Sequence, residues 1–143
     1  MTGVPFHYID LQAFSYATED EERVTASLRT VLPEDFPIER VENTGYAGDP
    51  ITVLSARVER ARELRTVLGS LRSMDESEWE TVVDQLAHRI TDNCEFYLYL
   101  DKQRAFHGAV TLGNGLSVRG KVEAYPANKD RAVENVREAF ERD

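Results

Sequence analysis

Lys102, Arg104, Arg119 and Lys121 share the window 102–121 with His107 and with no Asp or Glu, in a chain of formal net charge −9. Guanidinium and ammonium groups recognise phosphate, Arg through a planar fork and Lys as a point charge. A positive segment kept in so acidic a chain points to a polyanion, and RNA is the leading candidate. Arg62, Arg65 and Arg72 recur at helical spacing on one flank of an apolar stripe, so a predicted helix has a basic side. In the run CEFYLYLD, Tyr97 and Tyr99 alternate with Phe96, Leu98 and Leu100, which puts both phenols on one strand face. Rings so placed can stack on unpaired bases. A second reading stays open: the cations pair with Glu95, Asp101 and Glu123, and the tyrosines fill a dimer interface, where Tyr is enriched.

Other chemistries find little support. His7, His88 and His107 fall on separate predicted elements, and Cys94 has no second thiol, so neither a zinc site nor a disulfide framework is expected. There is no phosphate-cradling G-x-x-x-x-G-K-[ST], no G-x-S-x-G and no H-E-x-x-H. Carboxylates cluster at Glu19–Glu22 and at Asp75–Glu80, where the positive ends of helix dipoles account for them. His107 reads as a turn residue or as a ligand contact. No catalytic residue, metal or cofactor is implied.

The elements that must position these groups follow from hydrophobic period. Residues 6–16 alternate with Ile9, Leu11 and Ala13 on one face and predict a strand. Thr18 and Glu21 form a capping-box pattern before Val24, Leu28, Val31 and Leu32, predicting a helix over 18–32 that stops at Pro33. Strands are expected at 38–45 and 51–58 around the turn Gly45-Tyr46-Ala47-Gly48-Asp49-Pro50. A helix over 59–72 buries Leu64, Val67, Leu68 and Leu71. A third, capped by Ser77 with Glu80, carries Trp79, Val82, Val83, Leu86, Ala87 and Ile90 on its core face. Strands are predicted at 94–101, at 107–112 and at 116–125, the last two joined by Gly113-Asn114-Gly115 as a hairpin, with a helical turn at KQRAF. In the last strand Ser117, Arg119 and Lys121 share a face. A final helix from 129 buries Val133, Val136 and Phe140.

The order β-α-β-β-α-α-β-(β)-β-α does not alternate singly, which predicts an α+β fold with helices on one face of a mostly antiparallel sheet. The chain's 143 residues suit one domain over 1–143. No run approaches a membrane span and the start lacks a basic, apolar leader, so a cytoplasmic protein is expected. Twenty-six acids against seventeen bases, with Lys only at 102, 121 and 129, fit solubility at high salt, as in salt-loving archaea. An ordinary acidic protein is the alternative.

Leu100-Asp101-Lys102-Gln103, then Ala105 and Gly108, then Lys121-Val122-Glu123-Ala124-Tyr125-Pro126 resemble an archaeal family of RNA-binding proteins or predicted exosome subunits. Pro5-Phe6-His7, Thr18-Glu19-Asp20 and Gly48-Asp49-Pro50 agree with it, the last where relatives are expected to carry Gly-Asn-Pro. The resemblance implies a fold like the large-subunit ribosomal protein that binds 5S rRNA. It also implies RNA as partner in RNA processing or ribosome-related metabolism. The charge and alternation patterns assign the contacts to Lys102, Arg104, Arg119 and Lys121, with Arg62, Arg65, Tyr97 and Tyr99 as further candidates. A protein adaptor docking to an exosome-like assembly, or a homodimer, is the alternative role.

Overall fold

The computed structural model describes residues 4–45 and 48–141; Tyr46 and Ala47 of the predicted turn lie outside the described residues. Five strands form one sheet in the order β2-β3-β1-β5-β4, every neighbouring pair antiparallel. In chain order these are β1 (Phe6–Tyr16), β2 (Glu39–Thr44), β3 (Pro50–Val58), β4 (Glu95–Asp101) and β5 (Gly115–Val122). The helices α1 (Glu21–Val31), α2 (Ala61–Arg72), α3 (Glu76–Asp84), α4 (Leu86–Arg89), α5 (Lys102–Phe106) and α6 (Lys129–Glu141) complete it. The α+β expectation holds: helices cover one face of the sheet. Ile9, Leu11 and Ala13 of β1 meet Leu54, Ala56 and Val58, Phe96, Leu98 and Leu100, and Leu116, Val118 and Val122 in the core beneath them. Phe140 of α6 stacks 4.8 Å from Trp79, whose indole N–H donates to the Phe140 carbonyl at 3.2 Å.

Several local expectations are corrected. Helix α1 begins at Glu21, and Asp20 rather than Thr18 caps it, its carboxylate accepting from the Glu22 amide at 3.0 Å. Glu19 instead accepts from the Tyr16 amide at 3.0 Å and closes the turn before the helix. Likewise α3 starts behind Asp75, without a Ser77–Glu80 box. Its core stripe does not run unbroken to Ile90. At Gln85 the backbone leaves helical geometry (φ −99°, ψ 9°), its amide shared between the Thr81 and Val82 carbonyls. The shift in phase keeps Leu86 and Ile90 buried and turns Ala87 to solvent.

Residues 107–112 do not form the predicted strand, and β5 ends at Val122 instead of 125. Coil follows α5, and only an isolated bridge joins Leu112 to Leu100. The Asp101 and Gly113 amides donate to the Thr111 and Tyr99 carbonyls at 2.9 and 3.1 Å, so this coil covers part of the outer edge of β4. Gly113-Asn114-Gly115 therefore leads into β5, whose partners are β4 and β1. Both glycines are sterically required. A Cβ at 113 would lie 2.7 Å from Asp101 Cβ, and Gly115, at φ +107°, has Lys102 Cβ 2.7 Å from the same position. Among the described residues, no helix is long and apolar enough to cross a membrane.

Candidate nucleic-acid interface

Strand alternation sends every second residue to the sheet face that none of the described helices covers, and the registers arrange those residues in rows across the strands. One row runs Arg57 (β3), Asp10 (β1), Arg119 (β5), Tyr97 (β4). The next, about 7 Å along the strands, runs Glu39 (β2), Ser55, Gln12, Ser117, Tyr99. A third contains Val41, Val53 and Phe14, and on the other side of the arginines lie Tyr8, Lys121 and Glu95. The segment 36–39 rises beside these rows and makes the face a concavity of about 990 Å³, floored by Asp10, Gln12, Phe14, Arg57, Tyr99 and Arg119. A smaller recess at Phe14, Tyr99 and Gly115 continues it.

Asp10 is the electrostatic hinge of the face. Arg57 donates through Nε and Nη2 to its two carboxylate oxygens at 2.7 and 2.9 Å, and Arg119 Nη2 donates to Oδ2 at 2.9 Å. Burial pushes the Asp10 carboxyl up, but the two guanidinium partners outweigh it and hold the acid below its ordinary value. The same bonds raise both arginines further above neutrality. The Arg57 guanidinium also lies 3.9 Å from the centre of the Tyr8 ring. Two cations share one anion, so the trio keeps one positive charge, and the arginine side chains stay 49% and 42% exposed, open to a further acceptor.

The residues singled out from sequence separate into three places. Arg119, Lys121, Tyr97 and Tyr99 converge on the open face. Lys121 donates its ammonium to the Asn93 carbonyl at 2.6 Å. Lys102 stands at the end of β4 with its ammonium turned inward, 2.8 Å from Glu19 and 2.9 Å from the Phe14 carbonyl, only 18% exposed. Arg104 follows on α5, exposed and without a side-chain partner among the described residues. Arg62 and Arg65 are exposed on α2, in the helical layer behind the sheet, so they do not share the concavity. His107 is exposed at the end of α5, its ring edge-on to Phe106 with centroids 5.0 Å apart.

Sequence reasoning missed Arg57, Asp10 and Phe14, although the signal was present: the alternation that buries Ile9, Leu11 and Ala13 exposes Tyr8, Asp10, Gln12, Phe14 and Tyr16. Among the described residues no three His, Cys, Asp or Glu side chains converge as metal ligands.

A family model described as RNA binding matches residues 8–123. The chain belongs to this RNA-binding family. Relatives occur in archaea: an RNA-binding protein of Pyrococcus abyssi is 34% identical over 144 residues, covering 94% of both chains. An uncharacterized protein of Methanocaldococcus jannaschii is 30% identical, covering 90% of this chain and 93% of its own. Among solved structures, a DUF54 protein of Methanothermobacter thermautotrophicus is 38% identical with a TM-score of 0.80, covering 94% of this chain and 98% of its own. The matched segment, Tyr8 to Glu123, contains every residue of the rows described above.

Proposed function

We propose that the chain is a single, non-catalytic RNA-binding domain and that the uncovered sheet face is its RNA contact, with Arg57, Arg119 and Lys121 on phosphate. The observation that carries this is the Arg57–Asp10–Arg119 trio set among exposed aromatic rings in one concave surface. Phosphate contact needs exposed donors held in place, and Asp10 holds them without using them up. Membership of an RNA-binding family and a relative named for RNA binding support the reading. Arg104, exposed on α5, adds to the basic charge, whereas Arg62, Arg65 and Lys102 contribute less because they lie behind the sheet or are paired. The cellular role fitting these features is cytoplasmic RNA processing or ribosome-related metabolism in an archaeon, and an exosome-like assembly is one place for it. The low Lys content and the charge of −9 suit a haloarchaeal setting.

Fluorescence anisotropy with labelled RNA from 50 to 300 mM salt tests the reading. Arg57→Ala with Arg119→Ala should weaken binding and flatten the slope of log affinity against log salt by about 1.4, roughly 0.7 for each single-strand phosphate left without its cation. An unchanged slope refutes the assignment. A second reading, a protein adaptor or homodimer, is favoured by the exposure of Phe14, Tyr16 and Val41 on the same face. Recovery of protein partners from native extract after nuclease treatment, with no RNA affinity in the pure chain, would favour it.

A further inference from the structure

We infer that the RNA segment this face takes is unpaired, about three nucleotides lying across the strands from β3 to β4, with its backbone along Arg57 and Arg119 and its bases over Gln12, Phe14 and Tyr99. The inference rests on the RNA reading given above and adds the class of RNA. Phe14 and Tyr99 are 40% and 49% exposed, although no interior packing requires rings there. Both line the recess that continues the concavity. Between the arginine row and Phe14 lie Ser55, Gln12 and Ser117, in the row that ends at Tyr99. The Gln12 side-chain amide has no partner among the described residues, so it offers both donor and acceptor to a base edge.

Cations in one row, then amide, hydroxyl and Tyr99 ring together in the next, with the Phe14 ring beyond, offer partners for the phosphate, edge and face of an extruded nucleotide. A duplex keeps its base faces stacked inside, and its shallow groove offers sugars, phosphates and base edges instead. Rings on the floor of a concavity would then meet no base. The width from β3 to β4 is three inter-strand steps, about 14 Å, and a sheet face of this breadth stacks two or three bases.

The test is anisotropy with a labelled unpaired 10-mer of mixed sequence and with a blunt duplex of the same sequence, on the full chain. Wild type should bind the single strand at least tenfold more tightly. Tyr99→Ala should weaken single-strand binding about 5- to 150-fold, the range for loss of one stacked base. Duplex binding should change less than twofold. Tyr99→Phe, which keeps the ring, should restore single-strand affinity, and circular dichroism checks that each variant is folded. Equal or stronger binding of duplex, or indifference to Tyr99→Ala, overturns the inference while leaving the RNA reading in place. Absence of binding to either RNA defeats both. Sedimentation that shows a dimer dissociated by Tyr99→Asp, with no RNA affinity, assigns the face to a second copy and likewise overturns the inference.

Discussion

Replacing Asp10 with Asn should lower the protein's stability and raise its affinity for RNA, two effects of opposite sign from one oxygen-to-nitrogen exchange. The carboxylate accepts three charge-assisted bonds at 2.7, 2.9 and 2.9 Å. An amide keeps one acceptor oxygen and turns N–H groups toward a guanidinium that can only donate. Hydrogen bonds to charged groups contribute roughly 1.5–3 kcal/mol, but with both arginine side chains nearly half exposed the net loss should be about 1–2 kcal/mol. For a chain of this size that is a fall in Tm of about 3–8 °C, readable by calorimetry.

Toward RNA the same change removes the carboxylate that competes for Arg57 and Arg119. Relief of like charge about 5 Å away is on the order of 1 kcal/mol in a wet groove, so binding at 0.1 M salt should tighten about fivefold. The log–log salt slope should steepen by about 0.7, because loss of the carboxylate raises the net charge that the trio presents to phosphate from one to two. Anisotropy titrations at four salt concentrations measure both quantities. Weaker or equal binding with an unaltered slope would show that the arginines serve the sheet and not a ligand, and the reasoning would fail.

Other outcomes follow from the same structure. Lys102→Ala deletes the Glu19 pair and the bond to the Phe14 carbonyl, and should cost about 1–2 kcal/mol of stability with less than a twofold change in RNA affinity. A large affinity loss on a stable protein would contradict the inward placement. Gly115→Ala places a methyl group against Lys102 in a left-handed backbone and should destabilise by more than about 1 kcal/mol, measured by urea unfolding. Acidification acts through Asp10 and Glu19. Burial raises each carboxyl, but the arginines around Asp10 and the Lys102 partner of Glu19 bring both below their ordinary values of 3.8 and 4.5. Their contribution is complete above those values and is lost as pH falls through the lower folded-state values. Stability should therefore be flat in these two terms from pH 7 to about 5 and decline below about 4, and the decline should be shallower in Asp10→Asn.

Alternation was enough to read the outward direction of Tyr97, Tyr99, Arg119 and Lys121, because a side chain's face in a strand depends only on its neighbours two residues away. The same rule applied to β1 exposes Phe14 and Gln12. What alternation cannot supply is the partner strand. Arg57 meets Asp10 across 47 positions and Arg119 meets it across 109, and nothing local in either segment specifies those registers. The basic flank of α2 was legible for a similar reason, since helical period groups Arg62 with Arg65, yet the side of the sheet on which α2 packs is set by the core stripe of Leu64, Val67 and Leu71. The acid-free window concealed a different cause. Lys102 reads as a free cation in one dimension, whereas its acidic partner, Glu19, lies 83 residues earlier. The false strand at 107–112 arose because Val110 is buried and Leu112 packs against the core, which an edge-covering coil achieves as well as a strand does.

The position of β1 has a consequence for how the molecule is made. Of the five described strands, β1 is made before the others, and it is the middle strand of the sheet, between β3 and β5. It can pair with β3 once Val58 has been made, but its other edge stays open until residues 115–122 arrive. During that interval the apolar side chains Leu11 and Ala13 lack the Val118 and Leu116 that later lie beside them. Non-local closure of this kind slows folding and leaves a growing chain exposed to wrong partners. Translation speed between the codons for residues 59 and 122, and chaperone occupancy while they are read, should therefore set the yield of folded protein.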